Sequence, residues 1–205
     1  MGSRDRNGRR SQPDHYSLRA RKEGFAARSV YKLQEIQKKH AVIRSGGRVL
    51  DIGAAPGSWA QLARSIVGPA GHVVAVDLSP LPELEGLSNV TPVVGDIYDS
   101  SVIDALVAQG PFDAVISDAA PRTTGNRTVD TSRSAALVEQ VIALCPRLLR
   151  EGGAMVAKLF QGGEEQSILA QVRAQFTTGR LAKPQASRSE SFEVFLVGTG
   201  YTSQR

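Results

Sequence analysis

Five charged residues sit where apolar segments end or begin. Asp77 closes the run 72–76, Asp96 follows the run 90–94 after one glycine, Asp118 follows the run 112–117, Lys158 follows the run 154–157, and Glu193 precedes the run 194–197. A charge beside a buried strand is costly unless it is paired or used. Lys158, between Val156 and Leu159-Phe160, is the hardest to read as surface decoration. Carboxylates at strand ends can accept hydrogen bonds from sugar hydroxyls and ring amino groups. An amine among carboxylates can take a proton or steady a forming anion. Asp96 has a second reading, as the cap of a helix over 100–109, but a ligand contact is preferred.

One turn indicates the ligand. Residues 49–52 read as a buried strand, and Gly53-Ala54-Ala55-Pro56-Gly57 is a turn of small residues that lets a ligand approach the backbone. Trp59, Leu62, Ala63 and Ile66 then mark a helix. A strand, a glycine turn and a helix N-terminus form a nucleotide-sized pocket at the carboxyl end of a sheet strand. The turn lacks the middle glycine of G-x-G-x-x-G and the Lys-Ser/Thr ending of a P-loop. That disfavours a pyrophosphate and points to an adenosine-bearing ligand without one, S-adenosylmethionine. Asp77, about twenty residues past Gly57, is placed to hold ribose hydroxyls, although nicotinamide enzymes place an acid there too. The plain alternative is a turn kept small for packing.

The elements that must position these residues alternate along the chain. Strands are expected at 48–52, 72–77, 90–94, 112–117, 154–157, 180–183 and 192–197, and helices at 58–67, 100–109, 132–149 and 164–176. Gly152-Gly153 reads as the stop of the long helix, and the polar segment 122–131 as a mobile loop over the site. An earlier helix over 26–36 turns Val30 and Leu33 inward, with Ile36 or Gln37; Lys32 lies beside that stripe, and by spacing alone is an exposed helix lysine. This alternation predicts an α/β, doubly wound, Rossmann-like sheet with helices on both faces, and ligands outside the carboxyl ends of its strands.

The chain of 205 residues fits one domain, residues 16–205, behind a basic disordered tail at 1–15. With 41% hydrophobic residues it has an ordinary globular composition. No apolar run approaches membrane-spanning length and the N-terminus lacks an apolar leader, so no membrane partner is expected and the compartment is expected to be the cytoplasm. An Arg-rich transit segment is disfavoured by Asp5 and Asp14. Cys145 is the only cysteine, which removes disulfides and cysteine-built metal sites; no metal is expected. The net charge is +5, and residues 1–32 hold nine Lys/Arg against three Asp/Glu. That excess suggests a polyanionic partner at the N-terminal segment, with a solubilising tail as the alternative.

Five blocks occur in order: Arg28-Ser29-Val30-Tyr31-Lys32-Leu33, Asp51-Ile52-Gly53-Ala54-Ala55-Pro56-Gly57, Ser117-Asp118-Ala119-Ala120-Pro121, Val156-Ala157-Lys158-Leu159-Phe160-Gln161-Gly162, and Lys183-Pro184 through Ser187-Arg188 to Glu193-Val194-Phe195. Together they resemble the FtsJ/RrmJ (RlmE) family of ribosomal RNA 2′-O-methyltransferases, from about residue 16 to residue 200. The resemblance implies a mostly parallel methyltransferase sheet with an antiparallel last strand. It also implies a catalytic tetrad of Lys32, Asp118, Lys158 and Glu193, which overturns the reading of Lys32 as a bystander. Glu190 competes for the last role; Glu193 is preferred because it abuts Val194-Phe195. The implied contacts to S-adenosylmethionine are Gly57, Trp59, Asp77, Asp96 and Asp118, to which the turn itself adds Gly53. The implied partner is ribosomal RNA of the large subunit, with an A-loop uridine as target and a monomeric enzyme. Ser58 replaces a second glycine found in many members, and Pro121-Arg122-Thr123-Thr124-Gly125 replaces a Pro-Asn-x-Ser-Gly stretch.

Methyl transfer from a sulfonium to a ribose 2′-oxygen is an in-line displacement in which positioning does much of the work. Lys158 is either the base that takes the hydroxyl proton or a cation that steadies the forming alkoxide. RNA phosphates would meet the Arg-rich front and the loop with Lys183 and Arg188. Three other readings stay open: a nicotinamide-dependent oxidoreductase, disfavoured by the missing glycine fingerprint; a non-catalytic RNA-binding assembly protein, disfavoured by the complete tetrad; and a methyltransferase of transfer RNA or of the cap.

Overall fold

Residues 15–187 and 191–203 are described by the structure, a computed structural model. Residues 1–14 of the tail expected over 1–15, with Arg188 and Glu190, therefore lie outside the described residues, and His15 belongs to a helix. The strands are β1 (Arg48–Ile52), β2 (His72–Asp77), β3 (Val90–Val94), β4 (Phe112–Ser117), β5 (Leu149–Phe160), β6 (Phe176–Ala182) and β7 (Glu193–Tyr201). The helices are α1 (His15–Lys22), α2 (Val30–His40), α3 (Ser58–Val67), α4 (Ser100–Val107), α5 (Arg127–Leu148) and α6 (Glu165–Gln175).

The strands form one seven-stranded sheet in the order β3-β2-β1-β4-β5-β7-β6. The first five run parallel, and β7 runs antiparallel to both β5 and β6. This is the expected doubly wound sheet with its antiparallel last strand. Because side chains alternate along a strand, successive apolar residues feed two cores. Leu50, Ile52, Val74, Val76, Val115 and Met155 pack with α4, α5 and α6, and Cys145 of α5 is buried among them. There burial pushes its thiol up to about 12. Val49, Val73, Ala75, Ile116, Val156 and Phe195 pack with α2 and α3 on the other face. Near-continuous apolar strands are what coverage on both faces requires. The strand order reverses between β1 and β4, and a ligand crevice belongs above that switch point.

Several boundaries differ from the sequence reading. The loop expected over 122–131 is shorter, because Asn126 caps α5: its side chain accepts from the Val129 N–H at 3.3 Å. The remaining loop is strapped down. Asp130 accepts from the Thr124 N–H at 2.7 Å, the Thr124 hydroxyl at 2.9 Å and the Gly125 N–H at 3.2 Å. Gly152-Gly153 does not stop α5, which ends at Leu148 after Pro146. The glycines instead lie within β5, where the register with β4 shifts between Phe112 and Ala114; the glycine pair serves as a bulge. β5 accordingly runs through Lys158, so this residue is inside the strand and not beyond its end. β6 is longer than 180–183 because it pairs with β7 back to Phe176↔Tyr201.

Candidate active site

β1 delivers the glycine turn to the crevice. Gly53 has φ +73, and a Cβ there would lie 2.4 Å from the Ala119 Cβ, so the ends of β1 and β4 meet only because this residue is glycine. Gly57 opens α3 at φ +112, against Leu84. Above the switch point lies a cavity of about 500 Å³ whose wall includes Gly53, Asp77, Asp96, Asp118, Tyr98 and Arg133. That is the size of a typical small-ligand site. Four of the six expected cofactor residues thus surround one space. Gly57 and Trp59 are not on its wall.

Asp77 is pre-ordered: its carboxylate accepts from the Ala55 N–H at 3.0 Å and the Ser79 N–H at 2.8 Å. Asp96 is not a helix cap, since Asp99 caps α4 by accepting from the Ser101 N–H at 2.8 Å. Asp96 instead accepts from the Tyr98 N–H at 3.0 Å and faces the cavity. Leu78 and Tyr98, each close behind one of these acids, are exposed large apolar residues on the same wall. Two such surfaces suit a flat ring such as adenine. An apolar residue following a strand-end acid was the available sequence signal for both.

Trp59 is 2 % exposed. Its indole N–H donates to the Ser29 carbonyl at 2.9 Å, and its ring stacks on Phe195 at a centroid separation of 5.7 Å. The side chain is committed to the core; only its backbone is left for a ligand.

The four charged residues of the expected tetrad come together beside this cavity. Lys158 and Phe195 are register partners across β5 and β7, as are Phe160 and Glu193. Opposed residues in an antiparallel pair share a face, so Lys158 and Glu193 point to the α2 side. Lys32 reaches them from α2 and forms an ion pair with Glu193. Lys158 Nζ donates to the Asp118 backbone carbonyl at 2.6 Å and lies 3.0 Å from Asp118 Oδ1. All four side chains are largely sheltered, at 12 % exposure for Lys32 and Glu193, 10 % for Lys158 and 17 % for Asp118. Asp118 also lines the cavity, so one residue joins it to the amine. Burial raises the Glu193 carboxyl, but the hydrogen bond and charge of Lys32, then the charge of Lys158 and the Ser191 hydroxyl, outweigh it and hold the group below the usual carboxylate range.

The framework around Lys32 is fixed from afar. Glu35, also on α2, accepts from the Gln185 N–H at 2.7 Å and the Ala186 N–H at 2.8 Å. Arg28 donates to the Ala186 carbonyl at 2.6 Å. These contacts tie α2 to the segment leading into β7, the two elements that carry Lys32 and Glu193. Lys183 in that segment donates to the Ser191 carbonyl at 3.2 Å.

The sequence reading gave Asp51 no role. It is fully buried within β1, and neither carboxylate oxygen is hydrogen-bonded. Burial first, and then the negative charge of Asp118 with a smaller push from Asp77, raise its carboxyl well above the usual range. Among the described residues no group of three or more His, Cys, Asp or Glu is placed to hold a metal, and no helix is long and apolar enough to cross a membrane.

Comparison with known proteins bears on this geometry. A sequence model described as FtsJ-like methyltransferase matches residues 25–201. A protein of Syntrophobacter fumaroxidans named ribosomal RNA large subunit methyltransferase E is 48% identical over 186 residues, covering 90% of this chain and 94% of its own. One of the same name from Treponema denticola is 45% identical over 191 residues, covering 93% and 96%. Among solved structures, a Plasmodium falciparum protein provisionally assigned as a ribosomal RNA methyltransferase superposes with a TM-score of 0.77 at 21% identity, covering 88% of this chain and all of its own. Fibrillarin of Aeropyrum pernix, solved with natively bound S-adenosyl-L-methionine, gives 0.63 at 17% identity, covering 83% and 76%. The two structures share the fold, and the sequence matches settle the lineage: the chain belongs to the FtsJ-like methyltransferase family.

Proposed function

We propose that this protein transfers the methyl group of S-adenosylmethionine to a ribose 2′-oxygen of large-subunit ribosomal RNA, with an A-loop uridine as the target. The observation that carries the reading is the pair of amine–carboxylate contacts, Lys158 with Asp118 and Lys32 with Glu193, next to a cavity walled by Asp77 and Asp96. The donor set suits that cofactor. Asp77 would hold the ribose hydroxyls, Asp96 the adenine amino group between Leu78 and Tyr98, and Asp118 the cationic end. When bound, S-adenosylmethionine supplies an electrophilic methyl group.

The residues of this chain do the rest. Lys158, entering the step as a neutral amine, meets the 2′-hydroxyl and takes its proton. The Asp118 carbonyl and carboxylate, already at 2.6 Å and 3.0 Å from Nζ, then stabilise the ammonium that forms, as an acid orients and steadies the base in a catalytic triad. Lys32 neutralises Glu193, so that this acid orients groups around Lys158 without adding a free negative charge. A 2′-hydroxyl acceptor restricts the reaction to RNA, and the relatives named ribosomal RNA large subunit methyltransferase E support large-subunit RNA as its source. The test is mass spectrometry of nuclease fragments of large-subunit RNA from cells with and without the protein, and of that RNA after incubation with purified protein and cofactor. A 2′-O-methyluridine in the A-loop fragment, present only with the protein, is expected; identical fragment masses would refute the reading.

A further inference from the structure

At the same carboxyl edge of the sheet lies a cluster that methyl transfer itself does not use. Phe160 ends β5 as the register partner of Glu193. Phe192 immediately precedes Glu193, and its ring meets that of Phe160 edge-on at a centroid separation of 4.9 Å. The Gln161 N–H donates to the Phe192 carbonyl at 2.7 Å, fixing the two strand ends to each other. Arg127, the first residue of α5, places its guanidinium 5.3 Å from the Phe192 ring centroid, with one nitrogen 3.5 Å from the Gln161 carbonyl.

Three features of Arg127 point to a ligand. It is exposed, and none of the ion pairs among the described residues involves it. It is held over an aromatic face, which restricts the guanidinium while leaving N–H donors for the paired non-bridging oxygens of a phosphate. It stands on a rigid base, since Asn126 caps the helix and Asp130 straps the preceding loop. The N-terminus of the 22-residue α5 adds the positive end of a long helix dipole at the same place. In RNA, the carbon bearing the 2′-oxygen adjoins the carbon bearing the 3′-phosphodiester. A ribose presented to Lys158 therefore brings a phosphate to this edge of the sheet.

We propose that Arg127, oriented by Phe192, binds the backbone phosphate flanking the ribose to be methylated, and so sets the register of the RNA at Lys158. This rests on the assignment of an RNA 2′-oxygen as methyl acceptor. Arg127 is the contact residue; Phe192 is a positioning residue acting through it.

The experiment uses the full chain as wild type and as Arg127→Ala, Arg127→Lys and Phe192→Leu. It reads methyl transfer to isolated large subunits, the salt dependence of RNA binding, and the affinity for S-adenosylmethionine by calorimetry. Arg127→Ala is expected to raise the KM for RNA about tenfold, and to reduce the slope of log K against log salt by about one. Its cofactor affinity should stay within about twofold, because its contacts lie apart from the cavity wall. Arg127→Lys and Phe192→Leu are expected to keep the salt slope and still raise KM, since charge survives but orientation does not. An Arg127→Ala enzyme with wild-type KM and salt slope overturns the phosphate assignment alone. If the wild type makes no 2′-O-methyl nucleoside at all, both this assignment and the activity it rests on fall.

Discussion

Lys32 on α2 and Glu193 at the start of β7 form an ion pair in which each side chain is 12 % exposed. Neither residue can be sheltered without the other, because removing one leaves a partly buried charge without its partner. Glu193→Ala should therefore lower stability by about 1–3 kcal/mol. The carboxyl is held below its usual range, so the unfolded chain binds its proton at higher pH than the folded one. The contribution of Glu193 is then fully present above the unfolded pKa, about 4.3, and is lost as pH falls through the folded value. Denaturation curves of wild type and Glu193→Gln should differ by a constant amount at neutral pH and converge in acid. A gap that does not narrow below about pH 4 would contradict the pairing.

Asp51 should behave in the opposite sense. Its carboxyl is raised by burial and by Asp118, so the unfolded chain ionises first as pH rises. Folding stability is then lost with rising pH, from the ordinary carboxylate value up to the raised folded one. Asp51→Asn abolishes that loss. The variant should gain on the wild type as pH increases from about 4 to 7 in urea titrations, because an amide carries no charge to desolvate. Parallel stability profiles for the two proteins would show that Asp51 is not held neutral.

Trp59 and Asp77 were both expected at the cofactor, and the geometry separates their effects. Trp59→Phe removes the indole bond to Ser29 and part of the stack on Phe195, which should cost about 1–3 kcal/mol of folding stability. Its affinity for S-adenosylmethionine should change little. Asp77→Ala frees the backbone N–H groups of Ala55 and Ser79 and removes the carboxylate proposed to hold the ribose hydroxyls. It should weaken cofactor binding at least about tenfold. Calorimetry and thermal melts on the two variants check this; a larger loss of cofactor affinity for Trp59→Phe than for Asp77→Ala would reverse the assignment.

Much of this arrangement was legible in the residues. The central strands announced themselves as apolar runs ending in Asp77, Asp118 and the glycine turn, because strands covered on both faces leave no polar positions to confuse the pattern. The edge of the sheet was less legible. β6 gains its first residues only by pairing with β7, and Gly152-Gly153 signals a helix stop and a bulge equally well. Local spacing could not bring Lys32 to the site, since its partner is supplied by the last strand; only the family resemblance did so. Trp59 has the converse history. Its spacing marked only a helix and the resemblance put it at the cofactor, whereas the structure puts its indole in the core. The cluster of Arg127, Phe160 and Phe192 was unreadable beforehand, because its three members come from three distant elements and carry no shared motif.

Methyl transfer as proposed depends on Lys158 as the group that meets the sugar hydroxyl. The most direct measurement is the single-turnover rate of methyl transfer from S-adenosylmethionine to large-subunit RNA by Lys158→Ala, alongside its cofactor affinity by calorimetry. A rate lower by about 10²–10⁴, with cofactor affinity close to that of the wild type, is the predicted result. A Lys158→Ala enzyme that transfers methyl groups at near the wild-type rate contradicts the account.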